Sequence, residues 1–433
     1  MLLRRCYLGC FYNSPMKIIL SRQSGALPQQ ALPRAQHPAQ HPAQLTAQHE
    51  APQQAQTSAP HTLLGGRSPQ QFLRGWWHRK PLLIRNAIPG FKPLLSRAQL
   101  FALAKQDDVE SRLVSRQGKT WQIEHGPLRA SGMRRSPEEK WTLLVQGVNL
   151  HVPAADALLR RFSFVPYARL DDVMISYANH GGGVGPHLDS YDVFLLQAQG
   201  TRRWRISQQR DRTLVNGAPL KILQHFKHTA QYVLEPGDML YLPPGCAHDG
   251  VAVGECMTYS IGFRAPSAQE LARGLLEHAA ETVVRQGFYA DAGLKPAARP
   301  ALLTDAYVNQ AARLIANVRP TRAMLEDYLG SMLTEPKPHV YFEAPQPPLS
   351  AAAFSRAAQQ HGLRLDIRTQ MLYRAKLLFI NGERAAVAAA ATLRALADAR
   401  RLAPGARLTA ATANALHFWY TYGWLHVGES GEH

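Results

Sequence analysis

The chain has 433 residues, 45% of them hydrophobic, and carries 49 Lys and Arg against 31 Asp and Glu, a formal charge of +18. That length fills two or three domains with a substantial core, and the charge favours encounter with anionic partners, nucleic acid and ribosomes among them, unless it reflects only an arginine-preferring proteome. Four cysteines without a CxxC pair exclude a disulfide framework and point to reduced thiols in a cytoplasmic setting, and no apolar run approaches the ~20 residues of a membrane span.

In chain order, the first 22 residues are basic and acid-free, faintly like a targeting peptide but without a clear cleavage site. From Ser24 to about Thr62 the composition is Gln, Pro, Ala and His, which cannot bury apolar surface and predicts a disordered tail. His37, His41 and His49 belong to that low complexity rather than to a metal site. Order is expected from Leu63, with a short helix capped by Ser68 and opened by Pro69, then the strand "PLLIRNA". Short strands and turns follow between Arg112 and His151. The segment from Asp171 to Arg264 is a series of strand-like runs, "DDVMISYA", "DVFLLQAQG", "RRWRIS", "AQYVLEPGDMLYLPP" and "CMTYSIGFR". Many short strands at that spacing predict a sandwich or barrel.

The pattern changes at Ala265. Ser267 followed by Glu270 is a capping-box signature, and helical spacing continues to about Leu333. "TEPKPHVYFEAPQPPLS" reads as a Pro-rich linker, and the last hundred or so residues combine strands, turning at Asn381-Gly382, with helices in the manner of a small winged helix. Arg394, Arg400, Arg401 and Arg407 read as a solvated face of that domain. The expected division is a tail over 1–62, a barrel over 63–264, a helical region over 265–335 and a winged-helix-like domain over 336–433.

Two motifs carry the chemistry. In "GPHLDSYDVF", His187 and Asp189 stand two apart on an expected strand, where positions i and i+2 share a face. In "EPGDMLYLPPGCAHDG", Gly237, Pro243, Gly245 and His248 have the spacing of the second signature motif of cupin barrels, in which a tight Pro-Gly turn delivers the histidine to the barrel mouth. Alone, HxD is a weak signal. Followed by His248, 61 residues after His187, it becomes strong. Two histidines and a carboxylate suit a non-haem Fe(II) oxygenase and leave three coordination positions open; zinc is less favoured, because neither Cys246 nor Cys256 is placed as a further soft ligand. A 2-oxoglutarate enzyme also needs a cation for the far carboxylate. "RRWRIS" is expected one hairpin after the HxD strand, so alternation turns Arg202 or Arg203 inward, and Ser176 is the hydroxyl candidate. The plainer readings are a solvent-facing basic strand and a neutral strand serine.

The stretches "SRLVSRQGKTWQIEHGP", "DDVMISYANHGGGVGPHLDSYDVFLLQ", "RRWRI", "LEPGDMLYLPPGCAHDG" and "YSIGFRAPSAQELARG" resemble the bacterial ribosomal oxygenases, a JmjC/cupin family that hydroxylates an arginine of the large-subunit ribosomal protein L-sixteen. The resemblance runs from about Leu63 to the C-terminus, most densely over Arg112–Gly274. It implies a double-stranded β-helix barrel, a helical dimerisation region giving a homodimer, and a C-terminal winged helix. It further implies Fe(II) on His187, Asp189 and His248, 2-oxoglutarate held by Arg202 with Ser176, O2 as oxidant and a ribosomal protein as substrate. The N-terminal tail and the loop from Gln208 to Thr229 depart from the family pattern, so no substrate contact is carried over there. The same centre would also serve a ribosomal histidine hydroxylase or a lysine demethylase. A non-catalytic ribosome- or RNA-binding module would have no need of three intact ligands, although direct nucleic-acid contact stays open. Asp192 and Asp249 are candidate acceptors for a substrate guanidinium, each more plainly read as an exposed loop or edge carboxylate.

Overall fold

The computed structural model describes residues 62–428 apart from 130–138, 284–285, 287, 297 and 317–318. The low-complexity tail, with His37, His41 and His49, lies outside the described residues.

The described residues open with a 3₁₀ turn at Thr62–Leu64, followed by α1 (Pro69–Gly75). The Ser68 hydroxyl accepts from the Gln71 N–H and the Gln71 side chain accepts from the Ser68 N–H, a reciprocal cap with proline at the first helical position. Then come β1 (Leu82–Ile84), α2 (Arg97–Leu103), β2 (Ser111–Gln117), β3 (Thr120–His125), β4 (Lys140–Val145), α3 (Pro153–Arg160) and β5 (Leu170–Ala178). The remaining strands of this region are β6 (Val193–Ser207), β7 (Ala230–Leu234), β8 (Met239–Leu242) and β9 (Ala247–Phe263). All nine join one antiparallel sheet in the order β1-β8-β6-β9-β5-β4-β2-β3, with β7 on β6. The pairing path is open from β1 to β3, so the jelly roll does not close into a ring of hydrogen bonds.

The two long strands organise the sheet. β6 stays on β9 along its length, but pairs β8 through Val193–Leu196 and β7 through Arg202–Ile206. Register shifts between Gln197 and Thr201 bend it from one edge partner to the other. The expected hairpin ahead of Arg202 is therefore not a turn but a bulge within one continuous strand. Gly200 misleads a sequence reading: it has φ +61, yet its missing side chain serves close approach, because a Cβ there would collide with the Glu255 carbonyl.

The core under this sheet is aromatic. Phe194 lies 5.4 Å from Phe72 of α1, 4.9 Å from Tyr241 and 4.9 Å from Phe162, measured between ring centroids. All four are essentially fully buried, each contributing about 1.5–3 kcal/mol of burial. α1 thus seals one end of the jelly roll.

The C-terminal part opens with α4 (Ala268–Thr282), whose cap is the expected Ser267–Glu270 box, then α5 (Asp305–Ile315) and α6 (Arg322–Thr334). It continues with α7 (Ala351–His361), β10 (Leu363–Leu365), β11 (Met371–Arg374), β12 (Leu377–Ile380), β13 (Glu383–Arg384), α8 (Ala391–Ala399), β14 (Arg401–Leu402), α9 (Ala410–Thr421) and β15 (Leu425–Val427). Two three-stranded sheets, β14-β10-β15 and β11-β12-β13, frame a core of Phe354, Leu378, Leu393, Leu416 and Trp419. α6 packs on that domain through Gly330, whose position leaves room for the Phe379 ring. Arg400 departs from the solvated face expected of it. It sits at φ +59 at the end of α8, and its guanidinium donates to the carbonyls of Asp366 at 2.7 Å and Thr369 at 2.8 Å. Burial first of all pulls its pKa down to about 10, so it is a structural tie. Lys337 in the Pro-rich segment reaches Asp172 at 3.1 Å and Asp171 at 3.5 Å, anchoring that segment to the start of β5. Among the described residues no helix is long and apolar enough to cross a membrane.

Candidate metal centre

The HxD segment is not a regular strand. His187 makes an isolated antiparallel bridge with His248, N–H to carbonyl in both directions at 3.0 and 2.9 Å, and Asp189 lies in the following loop. A short bridge is all the glycine-rich approach permits. Gly181 and Gly182 are themselves bonded to Ala252 of β9, and a Cβ on Gly183 would come 2.5 Å from the Gly250 carbonyl. The loop thus lies flat on β9 and sets His187 opposite His248. Asp189 is fixed by the Pro-Gly turn, whose Gly245 N–H donates to its carbonyl at 2.7 Å.

One nitrogen of each imidazole and one oxygen of Asp189 lie within 4.8 Å of one another, making this the group of three such side chains able to hold a metal ion among the described residues. His187 Nε2 is 3.9 Å from Asp189 Oδ1 and His248 Nε2 is 3.6 Å from Oδ2. Each Nδ1 is 2.9 Å from a main-chain carbonyl, Gly185 for His187 and Cys246 for His248. A carbonyl only accepts, so both Nδ1 atoms carry the proton and both Nε2 lone pairs are left for a cation. Burial, aided by the neighbouring His187 ring 4.2 Å away, pulls the His248 pKa down to about 4. Its imidazole is neutral at physiological pH, as a ligand must be. Two nitrogens and one carboxylate oxygen suit divalent iron. Cys246 turns its buried thiol to the carbonyl of Ser207 and is not among the side chains that converge here.

Arg202, not Arg203, is the fully inward residue of the pair, 4% exposed. Its Nη1 donates to Ser176 Oγ at 3.1 Å, and its Nε and Nη2 are buried without a protein partner. Ser176 in turn donates to the Thr258 carbonyl at 3.3 Å. A buried guanidinium with orphaned donors is costly unless an anion completes it, and a ligand carboxylate fits. Asp192 and Asp249 do not fit their expected roles. Asp192 is fully buried and accepts from Tyr241 Oη at 2.6 Å, with His78 and Arg169 beside it, while Asp249 is paired with Arg205. The sequence reading missed Trp204, whose ring lies 5.9 Å from that of His248, and Gly250, which makes room for it: a Cβ there would come 2.6 Å from the Trp204 ring. A glycine two residues past the motif histidine was the available signal.

A jelly roll presenting two histidines, an aspartate and a buried arginine defines an oxygenase of the JmjC class, and a JmjC domain model matches residues 157–271. A ROXA-like winged-helix model matches residues 313–427. The protein of Escherichia coli K12 named ribosomal protein uL16 3-hydroxylase is 35% identical over 289 residues, 64% of this chain and 74% of its own length. A probable ribosomal oxygenase of Haemophilus influenzae is 37% identical over 213 residues, 48% of this chain and 52% of its own. The X-ray structure of E. coli YcfD superposes with a TM-score of 0.73 at 30% identity, covering 82% of this chain and 97% of that one. A structure of the same ribosomal oxygenase in complex with cobalt and 2-oxoglutarate superposes with a TM-score of 0.69 at 30% identity, with 82% and 97% coverage. The chain belongs to the JmjC-domain ribosomal oxygenases, 2-oxoglutarate-dependent hydroxylases that use Fe(II) and O2.

Proposed function

We propose that this protein hydroxylates an arginine side chain of the large-subunit ribosomal protein uL16, with Fe(II) on His187, Asp189 and His248 and the far carboxylate of 2-oxoglutarate on Arg202 and Ser176. The observation that carries the reading is the buried Arg202 guanidinium with unpartnered Nε and Nη2 in the same jelly roll as the two-histidine, one-carboxylate group. The relative named for uL16 hydroxylation supports the substrate. When bound, iron with 2-oxoglutarate and O2 supplies the oxidising power that replaces C–H by C–OH. The chain's own residues prepare for it. Gly185 and Cys246 hold the imidazole protons on Nδ1, burial keeps His248 neutral, and Arg202 offers its free donors to a carboxylate. The Ser176 hydroxyl can turn from the Thr258 carbonyl to that same carboxylate.

The jelly roll over 63–264 is the catalytic domain, and the winged helix over 336–433 follows it. The region 265–335 forms a homodimer interface, for which the exposed Leu276, Tyr307, Val308 and Ile315 on α4 and α5 are suited, and the enzyme works in the cytoplasm. The test is intact-mass analysis of uL16 and of arginine, histidine and methyl-lysine peptides after turnover. A gain of one oxygen atom on arginine supports the reading. Modification confined to histidine, or formaldehyde release, overturns it.

A further inference from the structure

Beside the Pro243–Cys246 turn that precedes His248 lies a cavity of about 280 Å³, lined also by His78, Arg79, Arg210 and Arg212. None of these four side chains is among the groups proposed above to hold the metal or 2-oxoglutarate. Several other arginines of the jelly roll are paired with carboxylates, Arg85 with Asp238, Arg160 with Asp156 and Arg205 with Asp249. The guanidinium groups of Arg79, Arg210 and Arg212 are exposed and, among the described residues, have no hydrogen-bond or ion-pair partner. The one acid between them in sequence, Asp211, is turned to its own loop: it accepts from the Thr213 N–H at 2.9 Å and lies 3.0 Å from His225 Nδ1.

The pocket is braced against the metal centre. The loop bearing Arg210 and Arg212 is tied by Gln209, whose amide donates to the Asp211 and His225 carbonyls at 2.8 and 2.7 Å, and by the Leu223 N–H, which donates to the Pro186 carbonyl at 2.7 Å, next to His187. Arg212 Nη2 stands 3.2 Å from where a Cβ on Gly245 would lie, and Gly245 holds Asp189. The rim is thus a preorganised concentration of positive charge one turn from the reacting position.

We propose that this pocket takes a phosphodiester of ribosomal RNA, so that the enzyme engages its substrate arginine together with the RNA beside it. The inference rests on the ribosomal reading above. A lone basic segment of a ribosomal protein would be repelled by three uncompensated arginines and by a chain of charge +18. The natural counter-charge of such a segment is the RNA backbone, and guanidinium forks match phosphate oxygens.

The test is fluorescence anisotropy of a labelled single-stranded oligonucleotide of large-subunit ribosomal RNA against the full-length protein over a range of salt. The Arg210→Glu/Arg212→Glu variant should bind about tenfold or more weakly, and its slope of log affinity against log salt should be shallower by about 0.7 for each phosphate no longer neutralised. Hydroxylation of a free arginine peptide should not fall in this variant, and at low salt it should rise as the rim's repulsion of a basic peptide is relieved. Arg401→Glu/Arg407→Glu, on the winged helix, should shift RNA affinity by less than about twofold. RNA affinity unchanged in the rim variant, or weakening carried by the winged-helix pair, would overturn the proposal. A parallel fall in free-peptide turnover in the rim variant would also overturn it, by showing that the pocket holds a carboxylate of the protein substrate. A wild-type enzyme that leaves arginine peptides unmodified would sink the substrate reading, while anisotropy still decides the pocket.

Discussion

Replacing Arg202 by methionine separates a ligand-binding role from a structural one, because the two roles predict opposite signs in the absence of ligand. The wild-type guanidinium has one side-chain hydrogen bond, to Ser176 Oγ at 3.1 Å, and lies 5.6 Å from the Trp204 ring centroid. Losing these costs roughly 1.5 kcal/mol for the bond and about 0.5–1 kcal/mol for the ring. Against this stands relief from burying a cation whose Nε and Nη2 have no partner, a change that is often neutral or stabilising by about 1–4 kcal/mol when packing is kept. Arg202→Met should therefore melt at or above the wild-type temperature when ligand-free. Its 2-oxoglutarate affinity should fall by about 1.5–3 kcal/mol, or roughly 10–150-fold. At 2-oxoglutarate about 100 times the wild-type Kd, the wild type gains about 2.7 kcal/mol and a variant binding about 100-fold more weakly gains only ~0.4 kcal/mol. Anaerobic thermal melts with Mn(II), with and without 2-oxoglutarate, read both terms at once. A ligand-free variant destabilised by several kcal/mol that keeps full stabilisation by 2-oxoglutarate would refute the assignment.

Alanine at His187, Asp189 or His248 should abolish conversion of 2-oxoglutarate to succinate and weaken Fe(II) binding beyond the roughly 10–100-fold cost of losing an outer hydrogen-bond partner; wild-type rates in a fully metallated variant would contradict this. Gly250→Ala places a Cβ 2.6 Å from the Trp204 ring, so denaturant unfolding should show a loss of about 1–3 kcal/mol, with weaker metal binding as Trp204 is pushed towards His248. In the C-terminal domain, burial pushes the Asp366 carboxyl up, but His426 Nε2 at 3.0 Å and the Arg368 N–H at 2.9 Å outweigh it and leave its pKa below the ordinary value. A depressed carboxylate contributes stability above its unfolded pKa and loses it as pH falls through the folded one. Urea melts of Asp366→Asn should show a loss of about 1–3 kcal/mol at neutral pH that shrinks as the pH is taken down below the ordinary aspartate value of about 3.9.

The convergence of His187, Asp189 and His248 was legible because its parts are local. A glycine run, HxD, and a Pro-Gly turn before a histidine each specify their own backbone, and the β-bridge between His187 and His248 joins them. Arg202 was legible only as one of two, since alternation fixes a face but not which face is inside; pairing of β6 to β9 decides it. The hairpin misread at Gly200 and the strand misread at Asp189 share one cause. Both depend on how closely another segment, Glu255 or Gly245, approaches the backbone, and that approach is a tertiary fact. Asp192 and Asp249 were misplaced for the same reason, their partners Tyr241 and Arg205 lying 49 and 44 residues away in sequence.

That both imidazoles of the proposed centre give their Nδ1 protons to main-chain carbonyls has a consequence for how this site ages in evolution. In many metal proteins the outer partner of a histidine is a carboxylate, and a single codon change there detunes the ion. Here the partners are the peptide groups of Gly185 and Cys246; the carbonyl at 246 persists whatever side chain stands there, whereas Gly185, at φ +79 and against Trp121, is held to glycine. Cys246 is thereby released from any duty to the metal and is free to drift to another small buried residue. The mutational target of the centre shrinks to three side chains and the backbone path that delivers them, so relatives can diverge widely around it while keeping one tautomer and one ligand geometry.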